Sequence, residues 1–179
     1  YSDGAGSGAA VVDALVDLDL TGTTTVAALT SSGAITASSS LAVTGDYSST
    51  TSGTSNLRLG VNAGNSIASG GNYNVLIGDE AGTAITTGDN NVAIGFEALS
   101  TEDANGNNVA VGYQSLKTQN AGTDAGNTAV GHVAGTSITT GDQNTLIGAF
   151  AGDALTDADK NVAIGRSALT TDTKGSKST

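Results

Sequence analysis

The 179-residue chain has no cysteine, proline, methionine or tryptophan, and only four tyrosines and two phenylalanines. Without cysteine there is no disulfide framework, thiolate zinc site or thiol nucleophile. With so few aromatics, a bulky globular core is not expected. Basic residues are scarce as well: six Lys and Arg stand against 17 Asp and Glu, a formal charge of −11. A nucleic-acid partner would be repelled by that balance, which instead suits an exposed, elongated and well-solvated surface. No run of residues approaches the ~18–20 apolar positions that membrane insertion as a helix requires. The chain opens at Tyr1 and not at methionine, which reads as a fragment or a processed product.

What is abundant is small and polar. Glycine supplies 26 residues, and serine, threonine, asparagine and alanine dominate the remainder. Helices are disfavoured by this composition, because Ser, Thr and Asn compete for backbone hydrogen bonds and Gly raises the entropy cost of ordering. An internal repeat carries the organisation instead. Asn recurs at Asn56, Asn74, Asn91, Asn108, Asn127, Asn144 and Asn161, in steps of 18, 17, 17, 19, 17 and 17 residues. A glycine follows each Asn four residues later: Gly60, Gly78, Gly95, Gly112, Gly131, Gly148 and Gly165.

Between the two markers lie three residues of strand character, such as "VLI", "VAI" and "TAV". Alternation puts the first and third on one face and the middle on the other. Both sets are apolar, which implies burial on both faces. The expectation is that the first and third positions fill the coil, while the middle ones (Leu76, Ala93, Ala110, Ala129, Leu146 and Ala163) meet sister chains in a homotrimer. Arg58 interrupts the pattern in "NLRLG" and places its coil at an end.

A second regularity sets the core. Seven residues after each Asn stands a small residue, and the next position is Gly or Leu. Where it is Gly (Gly64, Gly82, Gly135, Gly152), an aliphatic follows three residues on (Ile67, Ile85, Ile138, Leu155). Where it is Leu (Leu99, Leu116, Leu169), a polar residue follows (Glu102, Gln119, Asp172). Close packing explains the exchange: one core site per coil takes one large side chain from either of two positions. The markers have local reasons. Asn tolerates left-handed backbone, caps turns and can stack in ladders. Gly at a strand end suggests positive φ or a close backbone approach.

The predicted fold is therefore all-β: a repetitive parallel β-roll or β-solenoid of about seven coils of about 17 residues, assembled as an intertwined homotrimer. Residues 1–55 form a separate Gly/Ser/Thr-rich fibrous segment of short strands with a linker over 46–55. Residues 56–179 form the repeat array, closing in a solvated tail, "TTDTKGSKST".

The units "NVAIGFEAL" and "NVAIGRSAL" resemble the Asn-x-x-Ile-Gly repeats of bacteriophage tail-fibre and tail-spike shafts. They are also similar to the β-roll head of trimeric autotransporter adhesins. The resemblance covers residues 56–179. It implies a homotrimeric structural fibre component on a virion tail or at the cell exterior, a shaft positioning a receptor-binding tip for host attachment. Its partners would be sister chains, other fibre or tail proteins, and a host surface glycan or protein. The longer period and the lack of a coiled-coil stalk favour the phage fibre over a bacterial surface adhesin. Phage fibres often end in a chaperone that cleaves itself off, and a processed end after Thr179 fits that pattern.

Candidates for chemistry are few. Paired carboxylates on a β-helical surface are the signature of polysaccharide depolymerases, which directs attention to Glu80, Glu97, Glu102 and Asp103. Glu102 and Asp103 are adjacent and diverge, so no catalytic residue is assigned and an enzyme is not expected. His132 lacks a Ser–His–Asp context and reads as an ordinary outward residue. No cofactor is expected; Asp89 and Asp142, in matching "TTGD" turns, could place calcium between coils or chains, against the plainer reading of turn-forming Asp. Phe96, Tyr113 and Phe150 are candidates for an exposed contact surface.

Overall fold

A computed structural model describes residues 51–178. Of the fibrous segment expected over 1–55, residues 1–50 lie outside the described residues, as does residue 179. Each Asn-to-Gly interval is one short strand: β1 (Leu57–Leu59), β2 (Val75–Ile77), β3 (Val92–Ile94), β4 (Val109–Val111), β5 (Thr128–Val130), β6 (Thr145–Ile147) and β7 (Val162–Ile164). They form one seven-stranded sheet in chain order, every pair parallel. The register is constant, with Val75 opposite Val92, Leu76 opposite Ala93 and Ile77 opposite Ile94, and likewise along the stack. The described residues form a β-solenoid and contain no helix.

The Asn column explains why short strands suffice. Each Asn side chain is buried, and its Oδ1 accepts the backbone N–H of the next Asn along the axis. Asn91 N donates to Asn74 at 2.8 Å, Asn144 N to Asn127 at 2.8 Å and Asn161 N to Asn144 at 3.0 Å. The Nδ2 groups donate across the same coil to a carbonyl on the far wall: Asn74 to Gly88, Asn127 to Gly141 and Asn144 to Ala158, at 2.7–2.8 Å. One side chain thus ties neighbouring coils and closes its own. Asn74, Asn144 and Asn161 donate from Nδ2 to the preceding Asn Oδ1 as well, each at 3.1 Å, and in the 19-residue unit Asn108 makes this bond at 3.2 Å in place of a far-wall one.

The glycine column has two independent reasons. Gly78, Gly95, Gly131 and Gly148 sit at φ between 131° and 144°, where side chains are strongly disfavoured. A Cβ on Gly148 would also lie 2.6 Å from the Gly165 carbonyl, and one on Gly95 would lie 2.4 Å from that of Gly112. Consecutive coils touch backbone to backbone at this corner.

The middle strand residues require a correction. Leu76, Ala93, Ala110, Ala129 and Leu146 are wholly buried, and Ala163 is 2% exposed, all inside their own coil. They cannot form a wall shared with sister chains. The first and third positions face outward instead, from Val75 and Ile77 through to Val162 and Ile164. The physical reason is volume. The coil is so thin that one inward residue per strand, together with the Gly/Leu site opposite, fills it.

That site is adjusted more finely than a two-way exchange. A Cβ on Gly82 would meet Leu76 Cδ2 at 2.7 Å and Ile85 Cδ1 at 2.8 Å. Where the middle residue shrinks to Ala93 or Ala110, Leu99 or Leu116 supplies the missing volume and is fully buried. In the coil of Ala129 and Gly135, the leucines of the coils on either side close the gap: a Cβ on Gly135 would lie 2.8 Å from Leu146 Cδ1 and 2.9 Å from Leu116 Cδ2. Leu99 and Leu116 accept left-handed backbone, at φ 52° and 49°. Left-handed geometry costs ~1–2 kcal/mol against ~1.5–3 kcal/mol from burying the side chain, so burial prevails.

Hydrogen bonds tie both ends of the described segment to their neighbouring coils. Thr54, in the expected linker, is bonded to the next coil, donating its N–H to Asn72 Oδ1 at 2.8 Å and accepting from Tyr73 N at 3.0 Å. The tail is exposed at Lys174 and Lys177 yet stacked on the last coil. Ser178 takes the place of the next Asn, donating its N–H to Asn161 Oδ1 at 2.9 Å.

Candidate assembly surface

Two outward columns run along the sheet. One carries Leu57, Val75, Val92, Val109, Thr128, Thr145 and Val162; the other carries Leu59, Ile77, Ile94, Val111, Val130, Ile147 and Ile164. Neighbours along the axis shield one another, so most are half-buried, while Leu59, Ile147 and Ile164 are 42%, 40% and 68% exposed. At ~4.8 Å per strand, seven strands make an apolar stripe about 30 Å long. Contiguous apolar surface on this scale is a recurring feature of interaction sites.

Beside the stripe, past the glycine corner, stands a stack of rings. Phe96 and Tyr113 lie 5.5 Å apart with planes 15° off parallel, and Tyr113 and His132 lie 5.1 Å apart at 9°. Phe150 meets His132 edge-on at 5.2 Å, and the Arg166 guanidinium covers Phe150 at 5.6 Å. Phe150 enters from one residue further along its coil than the others, since Ala149 follows Gly148. Stacking occupies the ring faces and leaves edges to solvent. A sugar stacks on an aromatic face, so this column is poorly arranged to receive one. Its contribution is to lock coils together, at ~0.5–1.5 kcal/mol per aromatic pair.

The carboxylates are dispersed. Glu97 accepts from Lys117 Nζ at 2.7 Å and from Gln114 Nε2 at 2.6 Å. The Lys117 hydrogen bond, then that of Gln114, hold its carboxyl below the usual range. Asp157 is held low likewise, first by the Thr156 hydroxyl and then by Lys174. Glu102 is fully buried while Asp103 is exposed, so this adjacent pair does not converge on one side. Glu102 has no cation beside it; four donors surround it, namely Asp103 N, Asn105 N, Asn105 Nδ2 and Gln119 Nε2, at 2.8–3.2 Å. Gln119 Oε1 passes the chain on to Asn127 Nδ2 at 2.9 Å. In the Leu99 and Leu116 coils the polar residue three positions on, Glu102 or Gln119, therefore stays inside, while Asp172 in the Leu169 coil is half-buried; apolar patterning alone did not reveal this network. The Asn–Gln–Glu spacing was its only sequence signal.

Asp89 and Asp142 occupy one column in coils three strands apart, ~14 Å along the axis, too far to share an ion within one chain. Asp89 Oδ1 accepts the Asn72 N–H at 2.6 Å. Among the described residues no group of three His, Cys, Asp or Glu side chains is placed to hold a metal, and no helix is long and apolar enough to cross a membrane.

Comparison of the chain with family models, curated proteins and solved structures returned no match.

Proposed function

We propose that the chain is a structural component of a homotrimeric extracellular fibre, a shaft of the phage tail-fibre kind that carries a receptor-binding tip for host attachment. Virion tail or cell exterior is the setting, with other fibre or tail proteins as axial partners and a host glycan or protein met by the tip. The observation that carries this reading is the outward apolar stripe. A stripe of Val, Ile and Leu that the described residues leave partly exposed, along a chain of charge −11, is costly unless covered, and three copies about an axis cover it. The shared wall is then built from residues such as Val92, Ile94, Val130 and Ile147, in place of the middle residues. The solenoid form supports the same role. Spending 17 residues on ~4.8 Å of length sacrifices reach for stiffness, which a shaft needs.

Adjacent residues on opposite faces test it. Ile147→Lys, on the stripe, abolishes an SDS-resistant oligomer band in unheated gels while the far-ultraviolet circular dichroism of the coil persists. Leu146→Lys, in the interior, loses both signals. An oligomer band unaffected by Ile147→Lys would refute the assignment of the wall.

A further inference from the structure

One covalently labile pair stands inside the coil stack. Asn105–Gly106 is the one Asn–Gly step among the described residues. Cyclisation of such a step is direct chemistry. The Gly nitrogen attacks the Asn side-chain carbon, an N–C bond forms, and the amide nitrogen leaves as ammonia, carrying off the proton that the Gly nitrogen gives up. One water then opens the succinimide to aspartate or isoaspartate. Glycine, without a Cβ, leaves its nitrogen the least obstructed approach, and asparagine is a thermolabile residue for this reason.

Both reacting groups are held by carboxylates from different coils. The nucleophile, Gly106 N–H, donates to Asp124 Oδ1 at 2.8 Å, across the coil junction. The leaving group, Asn105 Nδ2, donates to the buried Glu102 Oε1 at 2.8 Å, and Asn105 N donates to the same oxygen at 3.2 Å. The Asn105 carbonyl is in turn a far-wall acceptor of the Asn ladder, taking Asn91 Nδ2 at 3.0 Å. Asn105 itself is only 8% exposed.

We propose that Asn105–Gly106 is a modification site gated by the junction between the coils of Asn91 and Asn108. The intact stack ties nucleophile and leaving group to separate carboxylates, and conversion proceeds only when that junction opens. Conversion is then self-reinforcing. Aspartate at 105 sets a second carboxylate against Glu102, and isoaspartate lengthens the backbone at the carbonyl that Asn91 grips. Either product weakens the contact that guarded the site.

The test is peptide mapping of the full chain after incubation at mildly alkaline pH, following the replacement of the Asn105 amide by an acid. The native chain is expected to convert at least ~10-fold more slowly than the same chain in denaturant, reflecting the fraction of time the junction is open. Asp124→Ala, at an exposed position, is expected to accelerate conversion several-fold with the strand signal unchanged. Equal rates in native and denatured chains would overturn the proposal. So would an Asp124→Ala chain that converts no faster than the parent, since Asp124 would then be a bystander or the base of the reaction.

Discussion

At the scale of single residues, the Asn column bears most of the specificity. Asn144 accepts from Asn161 N and Nδ2 and donates to Ala158 O and Asn127 Oδ1. Asn144→Ala strands the buried Asn161 N–H and the Ala158 carbonyl, at ~1–3 kcal/mol for each unsatisfied group. A loss of about 2–5 kcal/mol in unfolding free energy is expected, read from the urea midpoint. Surface charge matters far less. The bonds from Lys117 and Gln114 lower the Glu97 pKa, so their stabilisation is complete above the unfolded-chain glutamate value. It is lost as pH falls through the lower, folded value. Glu97→Gln is therefore expected to cost under about 1 kcal/mol at neutral pH and nothing in strong acid, measured by thermal melts across that range. A deficit that grew on acidification would contradict the assignment.

At the scale of the element, each coil is a short strand, a glycine corner and a tuned interior. Matched substitutions separate the two demands on the corner. Gly148 and Gly165 share positive φ, at 134° and 120°. A Cβ on Gly148 strikes the next coil's carbonyl, while one on Gly165 meets nothing within 4 Å. Both alanine variants incur backbone strain, but Gly148→Ala adds overpacking of about 1–3 kcal/mol. The difference in denaturation midpoint between the two variants measures the coil-to-coil contact, and equal midpoints would contradict it. The coil was largely legible in advance, because Asn and Gly at fixed spacing report backbone geometry and hydrogen bonding that no other residues supply as well. Which way the strand faced was not legible. In "VAI" both faces are apolar, so alternation fixes two sets of residues but not which is inside. Coil thickness decides that, and it follows from how Leu76, Gly82 and Ile85 share one space. The buried Glu102 escaped for a related reason, since a charged residue in a Gly- and Asn-rich stretch reads as a turn until Gln119 is seen beneath it.

At the scale of the whole molecule, the proposed assembly rests on the apolar stripe. The Asn ladder, the ring stack and the backbone pairing all run along the axis and hold one chain's coils together. Across the axis, several of the outward Val and Ile side chains stay exposed among the described residues, Ile164 most of all at 68%. The ring stack spans the coils from Phe96 to Arg166, so sideways association leaves that reinforcement undisturbed. The mass of the native particle in dilute buffer, from sedimentation equilibrium, tests the central claim most directly. A trimeric shaft gives three times the 17.3 kDa of one chain, unchanged on dilution. A single-chain mass at every concentration, with the stripe open to water, would contradict it.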